Sequence, residues 1–321
     1  MGQCIIYTLT HFEGRKTMFS KVRKNNYGYL FIAPFVIGFL VFSLYPLVNT
    51  IYLSFTNTSL MKPTASFIGL QNFVRLFADK TFPTAIKNTW ELWLLNFIPQ
   101  LGIALLLAVW FTNNRLKIKG GGFWRLIFYM PNLMMPATIA ALFFSIFSFY
   151  GPANQFLVRS GFIPEAIDFI RSPAAMRSVV VFIQWWLWFG QTTIILMAAM
   201  TSISGSIYEA ALADGANGWQ MFRFITLPLI KPVMIYVLVT SLVGGMQMFD
   251  IPMLLTDGRG SPSNSILTNN IVMMMRFRSN QGLIGSASAV GVVVFVMTTI
   301  VALLIFYFLR EKDTKPVKKE L

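Results

Sequence analysis

Long apolar stretches alternate with short polar segments along the whole chain. Six stretches of at least 18 residues contain no Asp, Glu, Lys or Arg. A helix of about 20 apolar residues crosses the roughly 30 Å hydrocarbon core of a bilayer. The pattern therefore predicts an all-α, polytopic membrane protein with six transmembrane helices. These helices are predicted at 29–53, 92–112, 126–149, 178–201, 232–251 and 287–309.

Composition supports the same class. Of the 321 residues, 55% are hydrophobic and 12% are charged, about half the charged fraction of a typical soluble domain. Too few charged groups are present to cover a water-soluble particle, so an ordinary cytosolic enzyme is excluded. The single cysteine, Cys4, excludes an internal disulfide framework. The single histidine, His11, excludes a metal centre built on several histidines.

The net charge of +14 is informative through its location. With a cytoplasmic N-terminus, 16 of the 26 Lys and Arg residues fall on the cytoplasmic side and 10 on the other side. Positive residues concentrate in cytoplasmic loops of membrane proteins. We therefore expect both termini in the cytoplasm, in the plasma membrane of a bacterial cell, and we expect no nucleic-acid partner.

Three regions follow from this pattern. A cytoplasmic N-terminal segment is predicted at 1–27, a six-helix membrane domain at 28–310 and a basic cytoplasmic tail at 311–321. The N-terminal segment contains a second methionine, Met18, and the sequence leaves open whether translation starts there or at Met1.

The cytoplasmic segment 202–231 is unusually rich in helix formers. Asp214-Gly215 interrupts it, which predicts a turn between two short helices. Pro232 suits the first turn of the fifth span, where its missing N–H costs little. Small alanines beside Glu209 would allow a partner to approach closely. The alternative is an amphipathic helix resting on lipid headgroups, which the scarcity of basic residues between Glu209 and Met221 does not favour.

This segment resembles the EAA loop of binding-protein-dependent ABC importer permeases. The defining positions are Glu209, Ala210, Ala211, Gly215, Ile225, Leu227 and Pro228. The positions shared with the carbohydrate-uptake branch are Asp214, Ala216, Trp219, Phe222 and Pro232. Further similar stretches are 28–34, 67–73, Asn88-Thr89 and 128–131, so the resemblance covers roughly residues 27–310.

The resemblance implies a type I ABC importer permease fold and a set of partners. A second permease subunit, often non-identical, would share the membrane with this chain. The EAA loop would dock into a cleft on a cytoplasmic ABC ATPase dimer, which would bind ATP and Mg²⁺. An extracytoplasmic solute-binding protein would deliver the substrate. We therefore expect Gly215 to form the turn of the loop and Glu209 to make polar contacts with the ATPase.

The chain itself lacks a nucleotide-binding signature. No GxxxxGK[ST] phosphate-binding loop occurs, and Gly120-Gly121-Gly122 lacks both the Lys-Ser/Thr ending and a preceding strand. We therefore expect a transport subunit without an ATPase site or cofactor of its own, and no metal site.

Polar and aromatic residues inside spans indicate where a substrate would pass, because polar groups are costly at membrane depth. Span four contributes Gln184, Trp185, Trp188 and Gln191, and span five contributes Gln247, Phe249 and Asp250. Amides and carboxylates hydrogen-bond sugar hydroxyls, and aromatic faces cover the apolar C–H side of a sugar. The tryptophans could instead form an interfacial aromatic belt, and the polar groups of span five could bond neighbouring helices.

The predicted function is uptake of a sugar or oligosaccharide. One alternative is a permease for glycerol phosphate or another polyol derivative, although phosphate recognition favours Arg or Lys and the six charge-free stretches contain neither. Alternatives of other classes are an intramembrane enzyme, which needs clustered acids or histidines at membrane depth, and a channel or secondary transporter, which has no use for a docking loop.

Overall fold

The computed structural model describes residues 27–61, 66–113, 119–170, 172–255 and 270–309. Most of the predicted N-terminal segment, the loop 256–269 and the predicted tail lie outside the described residues. Within the described part, the regular structure is helical apart from an isolated antiparallel bridge between Thr56 and Phe67. The chain divides into two compact units, Met1–Thr50 and Ile51–Leu321.

The first span begins in the smaller unit. Helix α1 (Tyr27–Phe39) continues through a π-helical turn, Leu40–Leu44, into α2 (Tyr45–Ser54). Pro46 follows this turn closely, and a proline ring clashes with the carbonyl four residues earlier, which widens the helix locally. The apolar side chains of this span are largely exposed, as expected of a helix that contacts lipid.

The larger unit holds the other helices. In chain order they are α3 (Gln71–Ala78), α4 (Thr81–Thr112), α5 (Gly121–Tyr129), α6 (Pro136–Ile146), α7 (Pro152–Arg159), α8 (Pro173–Thr201), α9 (Gly205–Ala213), α10 (Gly218–Met221), α11 (Leu227–Leu229), α12 (Lys231–Met246), α13 (Asp250–Leu255), α14 (Ile271–Asn280) and α15 (Ile284–Leu309).

Five helical segments of the described chain are long and apolar enough to cross a membrane, and the bent α5–α6 pair makes a sixth if it counts as one span. Several begin earlier than the sequence predicts. α4 starts at Thr81 instead of residue 92, and α8 starts at Pro173 instead of residue 178. These extensions contain Glu91 and Arg177, which form an ion pair at 3.4 Å. Because both residues are charged, a search for charge-free stretches omits the extensions.

The predicted third span, 126–149, is not one straight helix. α5 passes through a 3₁₀ turn at Met130–Leu133, and α6 then departs at 94° to it. Pro136 begins α6, and the preceding Met135 is extended with ψ of 135°. A proline disfavours helical geometry in the residue before it, so the chain turns here instead of continuing.

The predicted fifth span, 232–251, is also interrupted. α12 ends at Met246, and α13 begins at Asp250 after a short break. Pro252 lacks the N–H that would bond the carbonyl of Met248. That carbonyl accepts a hydrogen bond from Asn270 Nδ2 instead, so the broken helix end is satisfied from another part of the chain.

Three apolar clusters hold the larger unit together. One joins α4 to α12, α14 and α15, a second joins α6 to α8 and α13, and a third joins α4, α8 and the start of α12. α4 and α8 pack side by side over much of their length. The space between these clusters contains the candidate site.

Candidate functional site

The predicted coupling segment folds as two short helices joined by a tight turn. α9 ends at Ala213, and Gly215 adopts the left-handed conformation with φ of +81°. The Gly215 N–H donates to Leu212 O at 3.0 Å, and the Ala216 N–H donates to Ala211 O at 2.9 Å. These bonds form a Schellman motif, whose left-handed position favours glycine. The predicted turn is therefore confirmed, together with the reason for its glycine.

The second helix of the loop is capped at its N-terminus by two of its own side chains. The Gln220 N–H donates to Asn217 Oδ1 at 2.9 Å, and the Asn217 N–H donates to Gln220 Oε1 at 2.8 Å. This capping box satisfies two free backbone donors at the start of α10. The chain then enters a π-helical turn, Phe222–Thr226, just before Leu227 and Pro228.

The ten residues predicted for coupling, which are the motif positions other than Trp219 and Pro232, divide between two environments. The exposed ones are Glu209, Ala210, Asp214, Gly215 and Pro228. The half-buried ones are Ala211, Ala216, Phe222, Ile225 and Leu227. The exposed set is available to a partner, whereas the half-buried set is partly covered by the rest of the chain. Contact of the exposed set with an ATPase stays a prediction.

One side-chain hydrogen bond connects the two ends of this loop. Tyr208 on α9 contacts Thr226 through their hydroxyl oxygens at 2.9 Å. Thr226 is buried, and it lies immediately before α11 and α12. α9 is therefore linked directly to the segment that leads into span five.

A cavity of about 390 Å³ lies between α4, the α5–α6 bend, α8 and α12. Its lining includes six of the seven substrate-pathway residues predicted from the sequence: Gln184, Trp188, Gln191, Gln247, Phe249 and Asp250. Gln184 and Gln191 both face it, in keeping with the seven-residue spacing that puts them on one side of a helix. The structure thus brings these six residues together, and their contact with a substrate stays a prediction.

Trp185 is the predicted residue that does not line this cavity. Its ring stacks on Phe189 with centroids 5.4 Å apart and also contacts Phe182. Its buried indole N–H has no hydrogen-bond partner among the described residues. Trp185 therefore packs within the aromatic side of α8, away from the cavity.

Both helix breaks border the cavity. Asn132 and Pro136 of the α5–α6 bend line it, as do Gln247 to Ile251 around the break in span five. Asn132 Nδ2 donates to Leu187 O on α8 at 3.3 Å, which holds the bend against the neighbouring helix. The α5–α6 bend and the break in span five thus face the same polar space.

Sequence reasoning missed the polar residues that α4 contributes. Asn96 and Gln100 lie one turn apart, face the cavity and are almost fully buried. Gln100 Nε2 donates to Thr192 Oγ1 on α8 at 2.7 Å. A signal was present, because both amides lie inside an apolar span, where polar groups are costly.

The two adjacent glycines of α12 have different surroundings. A Cβ at Gly245 would overlap the indole of Trp93 on α4, whereas a Cβ at Gly244 would meet no atom within 4 Å. Trp93 Nε1 also donates to Ser241 Oγ on α12 at 3.2 Å. Close helix approach therefore occurs at Gly245 and not at Gly244, although both glycines line the cavity.

Charges are sparse in the site and paired near it. Asp250 is the one charged side chain among the described residues that line the cavity. Arg177 bridges Glu91 and Asn88 between α8 and α4. No group of three or more potential metal ligands occurs among the described residues.

A second ion pair lies at the start of α4. Arg278 Nη2 contacts Asp79 Oδ2 at 2.7 Å, and Arg278 Nη1 donates to Ser286 Oγ. Burial raises the pKa of Asp79, but hydrogen bonds from Thr81 and Arg278 outweigh it and hold that pKa below its usual value. The ion pair thereby links the beginning of α4, through Asp79, to the end of α14 and the beginning of α15, through Arg278.

Motifs singled out in the sequence have structural roles here. Asn72 Nδ2 donates to the carbonyls of Ser54 and Thr56 at 2.9 and 2.7 Å, which satisfies the end of span one. Thr89 Oγ1 accepts the N–H of Ile271 at 3.0 Å, which fixes the start of α14. These residues stabilise the fold and lie outside the cavity lining.

Comparison with known proteins identifies relatives along nearly the whole chain. The family model described as the binding-protein-dependent transport system inner membrane component matches residues 31–313. The lactose transport system permease LacF of Rhizobium radiobacter is 33% identical over 89% of this chain and 94% of its own. The arabinooligosaccharides transport system permease AraP of Bacillus subtilis is 33% identical over 86% of each chain.

A solved structure has the same fold. A chain of a bacterial alginate ABC transporter, crystallised with an alginate pentasaccharide-bound periplasmic protein, superimposes with a TM-score of 0.75. It is 26% identical, and the match covers 89% of this chain and 95% of that one. The chain described here therefore belongs to the binding-protein-dependent transport system inner membrane component family and is a multi-pass membrane permease of an ABC transport system.

Proposed function

We propose that this chain translocates a sugar or oligosaccharide as one permease subunit of an ATP-driven importer. An extracytoplasmic binding protein delivers the substrate, a second and non-identical permease completes the pathway, and a cytoplasmic ABC ATPase dimer supplies the energy. ATP and Mg²⁺ belong to that ATPase, since this chain has no phosphate-binding loop. Both termini lie in the cytoplasm of a bacterial cell.

A single helix carries the main support for this function. α12 begins directly after the coupling loop and ends at the break that lines the cavity. Movement of the loop is therefore transmitted along one helix to Gln247 and its neighbours. The Tyr208–Thr226 hydrogen bond ties α9 to the base of this helix.

The transport cycle has two states. Closure of the ATPase dimer displaces the docked loop, and α11 and α12 carry that displacement to the cavity wall. The cavity then changes from open on the cytoplasmic side to open on the opposite side, where the binding protein releases its cargo. This chain's residues dock, transmit and line the pathway, and form no covalent intermediate.

The chemistry of the cavity favours a saccharide. Side-chain amides of Asn96, Gln100, Gln184, Gln191 and Gln247 surround it, together with the rings of Trp188, Tyr236 and Phe249. Amides offer both donors and acceptors for hydroxyl groups, and rings cover apolar C–H faces. LacF and AraP are named for lactose and arabinooligosaccharides, which agrees with this substrate class.

A phosphorylated polyol receives less support. Phosphate binding relies on Arg or Lys, and the charged residue among the described cavity residues is the acid Asp250. Uptake assays with glycerol phosphate beside neutral disaccharides and oligosaccharides would separate these two substrate classes.

The coupling role is tested at Gly215. An aspartate in its left-handed position adds backbone strain that glycine does not have, and it places a charged side chain on the exposed turn. We expect Gly215→Asp to abolish uptake of neutral saccharides while the chain still inserts and assembles with the second permease. Uptake and co-purification of the ATPase would be measured in the complete transporter.

A matched control lies three residues away. Gly218 has no positive φ, and a Cβ there meets no atom within 4 Å, so Gly218→Asp adds the same charge to the same loop without strain. It should retain uptake. Normal uptake by Gly215→Asp, with the ATPase and second permease present, would refute the coupling role.

A further inference from the structure

The short helix α3, between spans one and two, presents an unpartnered apolar face. Leu70, at its N-cap, and Val74 and Phe77 are 63%, 66% and 63% exposed. These positions recur at intervals of four and three residues, so they lie on one side of the helix. A water-soluble surface would not ordinarily expose three large apolar side chains in a row.

The remaining faces of α3 have different surroundings. Asn72 and Leu76 are buried at 4% and 0% exposure against the rest of the chain. Gln71 and Arg75 are exposed and polar. α3 therefore has a protein-facing side, a polar side and an exposed apolar side.

Hydrogen bonds fix the level of α3 relative to the membrane helices. Asn72 donates to the carbonyls of Ser54, the last residue of span one, and of Thr56. Leu76 joins the apolar cluster that includes Phe82 in the first turn of α4. α3 thus lies next to the last residue of span one, where the chain leaves the predicted membrane segment 29–53, and next to the first turn of α4.

The loop before α3 also exposes large apolar side chains. Leu60, Met61 and Phe67 in the neighbouring loop are 73%, 90% and 72% exposed. Leu60 is held in place by a backbone hydrogen bond from its N–H to Gly282 O at 3.0 Å. The segment between spans one and two thus exposes further large apolar side chains before α3.

The charges beside this surface are basic. Arg75 and Lys80 are exposed, and the sequence of α3 contains no acid. The nearby carboxylate of Asp79 is paired with Arg278. Basic side chains next to an apolar face match the phosphates and acyl chains of a phospholipid leaflet.

We propose that α3 is an interfacial helix whose Leu70, Val74 and Phe77 insert into the headgroup–acyl boundary of one leaflet. On the predicted orientation this is the outer leaflet. Through Asn72 and Leu76 the helix anchors the ends of spans one and two at a constant depth. The occupant of this face is lipid, and neither the second permease nor the binding protein covers it.

Spin labels at single cysteines test the contact. Cys4→Ser removes the single native cysteine, and Val74→Cys and Leu70→Cys then probe the apolar face. Gln71→Cys and Arg75→Cys probe the polar face, and Leu303→Cys in α15 serves as the hydrocarbon reference. The full chain, with the subunits that co-purify with it, would be placed in phosphatidylcholine–phosphatidylglycerol liposomes.

Collision rates with oxygen, which partitions into hydrocarbon, and with a water-soluble nickel complex would be compared. We expect the oxygen-to-nickel ratio at Val74 and Leu70 to approach that at Leu303 and to exceed that at Gln71 and Arg75 several-fold. A label at Val74 that is shielded from both reagents would mean that protein covers the face. A label more accessible to nickel would mean that water covers it, and either result would overturn the proposal. The measurement requires no transport, so it is independent of the proposed function.

Discussion

At the scale of single residues, side chains in this protein act mainly by allowing or satisfying contacts between helices. Gly245 allows α12 to approach the ring of Trp93 on α4, and Trp93 donates a hydrogen bond to Ser241, which also lies on α12. Asn270 donates to the free carbonyl of Met248 at the break in span five. A polar group left unpaired in an apolar interior costs several kcal/mol, so such side chains make the helix breaks tolerable.

The adjacent glycines of α12 provide a matched pair for testing close packing. Gly245→Ala should force α12 away from Trp93 and destabilise the protein by about 1–3 kcal/mol, as overpacking does elsewhere. Gly244→Ala should have little effect on stability, because a Cβ there has free space. Thermal unfolding of the purified transporter would measure both. Equal midpoints for the two variants would contradict the close contact.

At the scale of elements, proline determines where helices change course. The π-helical turns at Leu40–Leu44 and Phe222–Thr226 each precede a proline by two residues, at Pro46 and Pro228. In each case the proline ring would clash with a carbonyl inside the turn, and a wider turn relieves that clash. The second of these turns connects the coupling loop to α12, so in the proposed mechanism an irregular helix would transmit the motion and would need lateral support.

We expect Tyr208 to provide that support through its hydrogen bond to Thr226. Tyr208→Phe should leave membrane assembly and stimulated ATP hydrolysis nearly intact but lower the amount of substrate imported per ATP. The effect should be partial, because one hydrogen bond makes a net contribution of about 1 kcal/mol to stability. Uptake and phosphate release would be measured together in proteoliposomes.

A double-mutant cycle separates coupling from general damage. Thr226→Val removes the other hydroxyl, and the double variant Tyr208→Phe/Thr226→Val should be no worse than either single variant. Additive losses of the import-to-ATP ratio would show that the two hydroxyl groups act separately and would reject the supporting role.

At the scale of the whole molecule, the bent α5–α6 pair decides the topology. If the pair crosses the membrane, the described spans number six, and the coupling loop lies on the same side as the segment before α5. If it returns to the side from which it entered, the number of crossings is five. Because the turn at Met135 and Pro136 directs α6 onward against α13 and α8, we predict a crossing.

Labelling of single cysteines from each side of the membrane tests that prediction. In a Cys4→Ser background, Lys119→Cys and Asp214→Cys should react with an impermeant thiol reagent from the cytoplasmic side. Tyr150→Cys, on the far side of the bend, should react from the outside. Labelling of Lys119→Cys and Tyr150→Cys from the same side would show that the pair is re-entrant.

Local features of this fold were predictable from the sequence because their causes are local. A run of apolar residues long enough to span hydrocarbon predicts a helix wherever it occurs, and Gly215 beside Asp214 predicts a turn. The motif positions of the coupling loop, in contrast, were assigned through their resemblance to the EAA loop of a known permease family. Six of seven predicted pathway residues also line one cavity, because polar side chains inside a span are costly in contact with lipid and face the interior of the helix bundle instead.

The sequence by itself determined the membrane class, the approximate positions of the apolar spans and the two short helices around Gly215, all of which depend on residues close together in the chain. Only the tertiary structure decided that α5 and α6 meet at 94°, that span five breaks after Met246, and that Asn96 and Gln100 face the cavity while Trp185 does not. The physical reason is that membrane helices are apolar on nearly every side. Their sequence pattern therefore does not tell a lipid-facing side from a protein-facing one, and packing against α8 and α13 makes that choice.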